Sequence, residues 1–461
     1  MIHSFTLNGD NLVYDSESGA LHLFDDEALS ILQLYQARQG QRPDAAELEK
    51  LTDGVAIADA LDQMIAQSQL FAARPEVRFE QLYPEEPNFK AMCLNICHDC
   101  NMRCAYCFAE TGQYGSELRS SMSVETGKRA IDFLIEASGP RRNLDIDFFG
   151  GEPLMNWSVV KELVAYCEEQ GPAHGKDIRL TITTNALLLN DEKIAYINEH
   201  FKNVVLSCDG TAENHDHMRR DAGGNKTYER IAANIKKFVE LRGEREYYIR
   251  GTFTRHNLDF VDDVLALASL GKNVSIEPVV APPEAEYSIR EEDLAQVLNS
   301  YEKLAQVLSS DEIASDINFF HFNLQTDNGP CIYKRLKGCG AGSEYCAVTP
   351  EGDIYPCHQL VGETVHRIGC LTDSGFENDP ERQSAFSEYL MPSREPCNSC
   401  WARYHCGGGC AANHWHSQGD LDAVDPIYCQ MLQKRLECAL WLSYKRGQEK
   451  TLHLTKDTNR E

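Results

Sequence analysis

The sequence predicts an α/β fold: a partial (β/α)6 barrel, with a winged-helix-like module before it and a cysteine-rich domain after it. Three observations carry this. Residues 1–80 read as strands followed by helices, residues 81–290 alternate strand-like runs with helical stretches, and residues 331–446 hold most of the 18 cysteines.

In the first segment, alternating apolar residues in SFTLNGDNLVYD and ALHLF predict short strands around Asn8-Gly9 and Ser18-Gly19 turns. Periodic apolar positions in DEALSILQLYQ, DAAELEKL and VAIADALDQMIAQSQL predict three amphipathic helices. The stretch PEVRFEQLYPEEPNF, with three prolines, reads as a linker.

The second segment contains six strand-like runs: KAMCLNIC, LDIDFF, IRLTITTN, VVLSCDG, YYIRGTFT and VSIEPVVA. Strands alternating with helices imply a parallel sheet with right-handed crossovers, and six units imply an incomplete barrel. Function then belongs at the C-terminal ends of those strands. Five distinctive segments fall there: the cysteine loop after the first, Gly150-Gly151-Glu152-Pro153 after the second, Thr184-Asn185 after the third, Asp209-Gly210 after the fourth, and Pro278 to Pro283 after the sixth. Residues 291–330 read as a helical linker, with a helix from about Glu291 to Ser310. Residues 331–446 lack long periodic runs, so bound metal is expected to order them. The polar tail 447–461 is expected to lie on the surface or be disordered.

The balance of 44 Lys plus Arg against 71 Asp plus Glu, a net charge of −27, disfavours nucleic acid and anionic membranes as partners. A neutral or basic peptide is the better electrostatic match. Neither a signal-peptide pattern nor an 18-residue apolar run is present, which predicts a cytoplasmic protein. Thiols there stay reduced, so 18 cysteines point to metal or cluster ligation rather than disulfides.

In CNMRCAYC, Cys100, Cys104 and Cys107 offer three thiolates on one short loop. They can hold three corners of a [4Fe-4S] cube and leave the fourth iron for a bidentate ligand. Cys93, Cys97 and Cys100 share the same spacing, but Cys93 and Cys97 lie in the apolar run AMCLNIC, where a strand holds them too far apart. They are expected in the core. Tyr106 and Phe108 flank Cys107 with rings able to pack against a nucleoside.

Over about Lys90 to Pro283 these features resemble radical S-adenosylmethionine (SAM) enzymes. The resemblance implies that FFGGEP holds the SAM amino group through the backbone of Gly150 and Gly151 and the carboxylate of Glu152. It also implies ribose or carboxylate contacts from Asn185 in TTNA, Ser207 in LSCDG and Arg219 in HDHMR. The plain alternatives are a cap or turn role for Asn185 and Ser207, and pairing of Arg219 with Asp216 or Asp221.

Further on, Cys339-x12-Gly352-x4-Cys357, then Cys397-x2-Cys400-x5-Cys406-x3-Cys410, then Cys429, is similar to the seven-cysteine pattern of SPASM domains, which hold two further [4Fe-4S] clusters. The resemblance implies one cluster on Cys397, Cys400, Cys406 and Cys429, and three corners of another on Cys339, Cys357 and Cys410. The fourth corner is open to Cys331, Cys346 or a substrate thiolate. A pair of zinc sites is the structural alternative. Cys167, Cys208, Cys370 and Cys438 lack ligand spacing, and His358, His366, His405, His414 and His416 are ligands, bases or simply hydrogen-bonded.

INFFHFNL, GPCIYKRLKGCGAGSEY, AVTPEGDIYPCHQ and REEDL resemble the maturases of SCIFF peptides, which install cysteine thioethers (ranthipeptides). Cys346 departs from that pattern, which has an aliphatic residue there. The resemblance implies three [4Fe-4S] clusters, SAM, and a Cys-rich precursor peptide whose leader adds a strand to the N-terminal module, a RiPP recognition element. An external one-electron reductant such as ferredoxin or flavodoxin completes the set. Formylglycine formation in a sulfatase and quinohemoprotein maturation are the rival chemistries, and an Fe–S electron carrier the non-enzyme reading.

Overall fold

A computed structural model describes the chain except residues 75, 78–81, 83–87, 117, 311–315, 325–335, 374 and 458–461. Most of the proline-containing linker, and Cys331, lie outside the described residues.

The chain opens with β1 (Ile2–Leu7), β2 (Asp10–Asp15) and β3 (Leu21–Phe24), an antiparallel sheet in the order β1-β2-β3. Asn8 and Gly9 both have positive φ, as a tight turn there requires. Then come α1 (Asp26–Ala37), α2 (Ala45–Leu48) and α3 (Gly54–Ala66). Asp25 caps α1 by accepting from Ala28 N–H at 2.8 Å. Val13, Phe24, Ile31, Leu32, Tyr35 and Leu61 form a core separate from the main one.

This module is latched to the C-terminal region along β1 and β2. His3 stacks on Trp401 at 3.8 Å between centroids, Tyr14 Oη bonds His405 Nε2 at 2.8 Å, and Trp441 Nε1 donates to Asp10 at 2.8 Å. Glu17 pairs with Arg403 and accepts from Tyr404.

The six expected strands are present as β4 (Ala91–Cys97), β6 (Asn143–Gly150), β7 (Asp177–Thr184), β8 (Asn203–Ser207), β10 (Tyr248–Phe253) and β11 (Asn273–Pro278). Between them run α4 (Val124–Ala137), α5 (Trp157–Ala173), α6 (Asp191–His200), α7 (Ala212–Met218), α8 (Tyr228–Arg242) and α9 (Val261–Ala268). Two short strands, β5 (Met102–Cys104) and β9 (Arg219–Asp221), pair with each other.

Burial alternates along these strands. Leu144, Ile146 and Phe148 of β6, and Ile249, Gly251 and Phe253 of β10, are buried and face the helices. Asp145, Asp147 and Phe149, and Tyr248, Arg250 and Thr252, fall on the opposite, half-open face, the lumen. A parallel strand is normally apolar on both faces, so a polar inner face marks a working lumen.

The sheet does not stop at six strands. Beyond β11 lies β12 (Asn318–Phe319), reached through α10 (Leu294–Ser310). Beyond β4 lie β13 (Tyr345–Val348), β14 (Asp353–Tyr355), β15 (Gly369–Thr372) and β16 (Gly375–Asn378). The strand order is β12-β11-β10-β8-β7-β6-β4-β13-β14-β15-β16, parallel as far as β13 and antiparallel after it. Residues from 345 on therefore extend the barrel sheet by backbone pairing, and metal is not the only source of order expected for that region.

After β16 come α11 (Pro380–Ser387), α12 (Arg403–Cys406), α13 (Ala411–Gln418) and α14 (Pro426–Asp457). The polar tail expected from residue 447 is helical as far as Asp457, where α14 ends. Gln, Glu, Lys and Leu are strong helix formers, and the helix is already nucleated where Cys438, Ala439 and Leu442 are buried.

Candidate functional site

Cys100, Cys104 and Cys107 follow β4 directly, and the loop that carries them is clamped from two sides. From one side, Cys104 of β5 pairs with Arg219 of β9. From the other, Gly151 N–H donates to Cys97 O at 2.9 Å and Glu152 N–H to Asp99 O at 3.0 Å. Cys93 and Cys97 are buried within β4, as their apolar setting predicts.

The two glycines are required by this clamp. A Cβ on Gly151 would lie 2.0 Å from Asp99 O, and one on Gly150 would lie 2.5 Å from Cys97 O, with φ at +121°. Their small size serves the approach of two backbone segments as well as that of a ligand.

Glu152 has partners within the protein itself. It is fully buried, and its carboxylate accepts from Leu154 N–H at 3.0 Å, Thr184 Oγ1 at 2.8 Å and Asn185 N–H at 2.8 Å. Burial pushes its pKa up to about 7 against those three donors. With most of its acceptor capacity used by the protein, it ties the end of β6 to the end of β7, and Gly150 and Gly151 line the cavity in its place.

A cavity of about 360 Å³ opens at the C-terminal ends of the strands. Cys100, Cys104, Cys107, Tyr106, Phe108, Asn185, Ser207 and Arg219 all line it. Asn185 Nδ2 donates to Asn101 Oδ1 at 2.7 Å and to Cys100 Sγ at 3.6 Å, while its Oδ1 caps Leu187 N–H, so the expected turn role is present too. Arg219 pairs with neither Asp216 nor Asp221. It donates to Tyr106 Oη at 2.9 Å and lies 3.6 Å from Asp209, while Tyr106 Oη itself donates to Asp209 at 2.5 Å. Its Nε is buried with no protein partner, a donor left for something else in the cavity. Burial pushes the Cys104 thiol up to about 11, and Arg219 pulls it back toward ionisation.

The C-terminal thiols gather in two sets. Cys397, Cys400, Cys406 and Cys429 act on one another electrostatically and line a second cavity of about 570 Å³, closed on one side by Met1, Ile2 and His3. Cys339, Cys357 and Cys410 form the other set, and Cys410 also lines the first cavity. Gly407, Gly408 and Gly409 all have positive φ and turn the chain sharply between Cys406 and Cys410. That turn sends two thiols four residues apart into different sets. Backbone or side-chain N–H groups point at Cys100, Cys357 and Cys400 sulfurs within 3.6 Å. Such donors stabilise thiolates.

Cys346 joins neither set: it lies in β13, opposite Met92, in the main apolar core. Strand alternation turns it away from Tyr345, whose hydroxyl bonds His358 beside Cys357 at 2.8 Å. Cys167, Cys208 and Cys438 are buried, and His405, His414 and His416 are hydrogen-bonded. Among the described residues, no three His, Cys, Asp or Glu side chains are disposed to hold a single metal ion.

The first cavity is also lined by residues not singled out from the sequence: Arg250, Glu277, Asn413 and Tyr428. Polar residues at alternate positions in otherwise apolar parallel strands were the available signal for Arg250 and Glu277.

A mixed α/β sheet with a three-thiol loop at its C-terminal edge defines the class, and the comparisons agree. The profile of the radical SAM superfamily matches residues 94–277. An uncharacterized protein of Methanocaldococcus jannaschii is 32% identical over 295 residues, 63% of this chain and 90% of that protein. Residues 94–277 thus match a radical SAM domain, and that match implies a [4Fe-4S] cluster and SAM. The mycofactocin maturase MftC of Mycolicibacterium smegmatis is 26% identical over 337 residues, 72% of this chain and 80% of that protein. Among solved structures, native anSMEcpe with bound AdoMet and Cp18Cys peptide shares the fold with a TM-score of 0.62, at 19% identity, over 78% of this chain and 99% of that one.

Proposed function

We propose that this enzyme is a peptide maturase that forms thioether cross-links between cysteine thiols and carbons of other residues in a ribosomally made, Cys-rich precursor. The observation that carries the reading is one cavity lined both by Cys100, Cys104 and Cys107 and by Cys410 of the set Cys339, Cys357 and Cys410. The similarity to a maturase and to a fold seen with a bound peptide supports a peptide substrate.

In this reading Cys100, Cys104 and Cys107 hold the cluster that binds SAM. Cys397, Cys400, Cys406 and Cys429 hold a second cluster, and Cys339, Cys357 and Cys410 three corners of a third. When bound, these groups supply an electron from an external donor such as ferredoxin or flavodoxin, a 5′-deoxyadenosyl radical that takes a hydrogen atom from a peptide carbon, and an acceptor for the second electron released as the C–S bond closes.

The protein's own part is positioning. Arg219, with its spare Nε, suits the SAM carboxylate; Ser207 and Asn185 suit its remaining polar groups; the backbone of Gly150 and Gly151 approaches closely; Tyr106 and Phe108 border the nucleoside. The N-terminal module holds the leader. Its β1 lies against Trp401 and α14, which leaves β3, with Leu23 exposed, as the edge for an added strand.

The test uses anaerobically reconstituted protein and a neighbouring Cys-rich peptide. Cys104→Ala is expected to abolish 5′-deoxyadenosine formation, while Cys410→Ala retains some and yields no cross-linked peptide. Full cross-linking by Cys410→Ala sinks the role of the set Cys339, Cys357 and Cys410. Mass spectrometry after thiol alkylation separates a thioether, which loses two hydrogens and one alkylatable thiol per link, from a Ser oxidised to formylglycine, which loses two hydrogens with every thiol still alkylatable, and iron and sulfide analysis separates clusters from zinc.

A further inference from the structure

Arg250 is a cation in the cavity without a proper partner. It projects into the lumen from β10, level with Ser207 of β8 and Ser275 of β11, and its side chain keeps 49% of its accessible surface. Its ion-pair partner among the described residues is Glu277 at 4.0 Å, the outer limit of such a pair, and no hydrogen bond accompanies it.

Glu277 is already served from behind, by His321 at 2.9 Å and Arg435 at 3.5 Å. Those groups and Arg250 hold its pKa down to about 2 in spite of burial. The other lumen carboxylate near Arg250 is Asp147, which burial pushes up to about 7, so it is a poor counter-ion at neutral pH. Asp209 is taken by Arg219 and Tyr106. Two guanidiniums, Arg250 and Arg435, thus face one firmly ionised carboxylate, and the uncompensated one is aimed into the cavity. A guanidinium in a partly desolvated site recruits a bidentate anion, and a carboxylate matches its fork.

Resting on the peptide-maturase reading, we propose that Arg250 anchors a side-chain carboxylate of the substrate peptide, so that the carbon presented to the radical belongs to an aspartate or glutamate. SAM does not need this residue, because Arg219 lines the same cavity with an Nε that has no protein partner. The neutral or basic peptide expected from the overall charge then carries at least one acidic residue at the reacting position.

The experiment uses the full-length, cluster-loaded protein with SAM and a reductant, and two probes: N-acetyl-aspartate N-methylamide and N-acetyl-asparagine N-methylamide, each deuterated at Cβ. The measured quantity is the fraction of 5′-deoxyadenosine that acquires deuterium. The aspartate probe is expected to exceed the asparagine probe about tenfold or more, as loss of one charge-assisted bidentate contact implies. Arg250→Gln is expected to erase that preference, and Arg250→Lys to restore part of it. Equal transfer from the two probes, no transfer from either, or an unchanged preference in Arg250→Gln would overturn the assignment. Transfer from the aspartate probe without two-hydrogen loss on the Cys-rich peptide would uphold the anchor and sink the thioether reading alone.

Discussion

Cys100, Cys104 and Cys107 leave the end of a fully paired central strand and are pinned by β9, by the Gly151 and Glu152 amides and by Asn185. Cys397, Cys400, Cys406 and Cys410 sit instead on a 3-10 turn, a four-residue helix and a run of three glycines. The first loop is held in shape by the barrel whether or not anything binds. In the second, burial and neighbouring thiols push Cys406 and Cys429 up, so much of the local order waits on whatever draws the thiols together as thiolates.

The largest expected effect breaks the first region. Gly151→Ala places a methyl 2.0 Å from a backbone oxygen that cannot swing aside. A loss of about 3 kcal/mol is expected, more than a hundredfold in the folding equilibrium, checked by urea unfolding of the iron-free protein. An unchanged midpoint would mean that the clasp between the GGEP and cysteine loops is not tight.

Next in size is removal of iron and sulfide. Chelation is expected to raise proteolytic cleavage between residues 397 and 429 by about tenfold while segments within 91–278 keep their protection, read by peptide mapping. Equal protection of both regions would erase the contrast.

The smallest effect probes the lumen on the barrel side. Asp147 has a folded pKa of about 7 against a reference of 3.8, so between those values the folded state holds a proton that the unfolded chain has lost. Stability is then full below the window and falls as pH rises through it, on the order of 1.4 kcal/mol per pH unit. Asp147→Asn is expected to flatten that slope in unfolding curves at pH 5, 6 and 7. The same slope in both proteins would place the titration elsewhere.

How much was legible varies by region. The six barrel strands were visible because each is a short apolar run between helical patterns, and the thiol loop because three spaced cysteines have few structural uses. The protein partners of Glu152 were not legible because a motif shows which residue is present and not where its lone pairs go: Leu154, Thr184 and Asn185 all donate to it. The partner of Arg219 was likewise hidden, since Asp216 and Asp221 are near in sequence while Asp209 is near in space. The tail beyond residue 447 looked polar and aperiodic, but its residues favour a helix once a buried segment has started one.

Local chemistry written in the sequence thus determined the strand and helix periods, the thiol spacings and the acidic balance, because each depends on neighbours a few residues apart. The exclusion of Cys346, the pairing of β13 with β4, and the surplus charge of Arg250 were decided only by the tertiary structure. Each depends on which distant residues share a surface, and the folded sheet alone sets that.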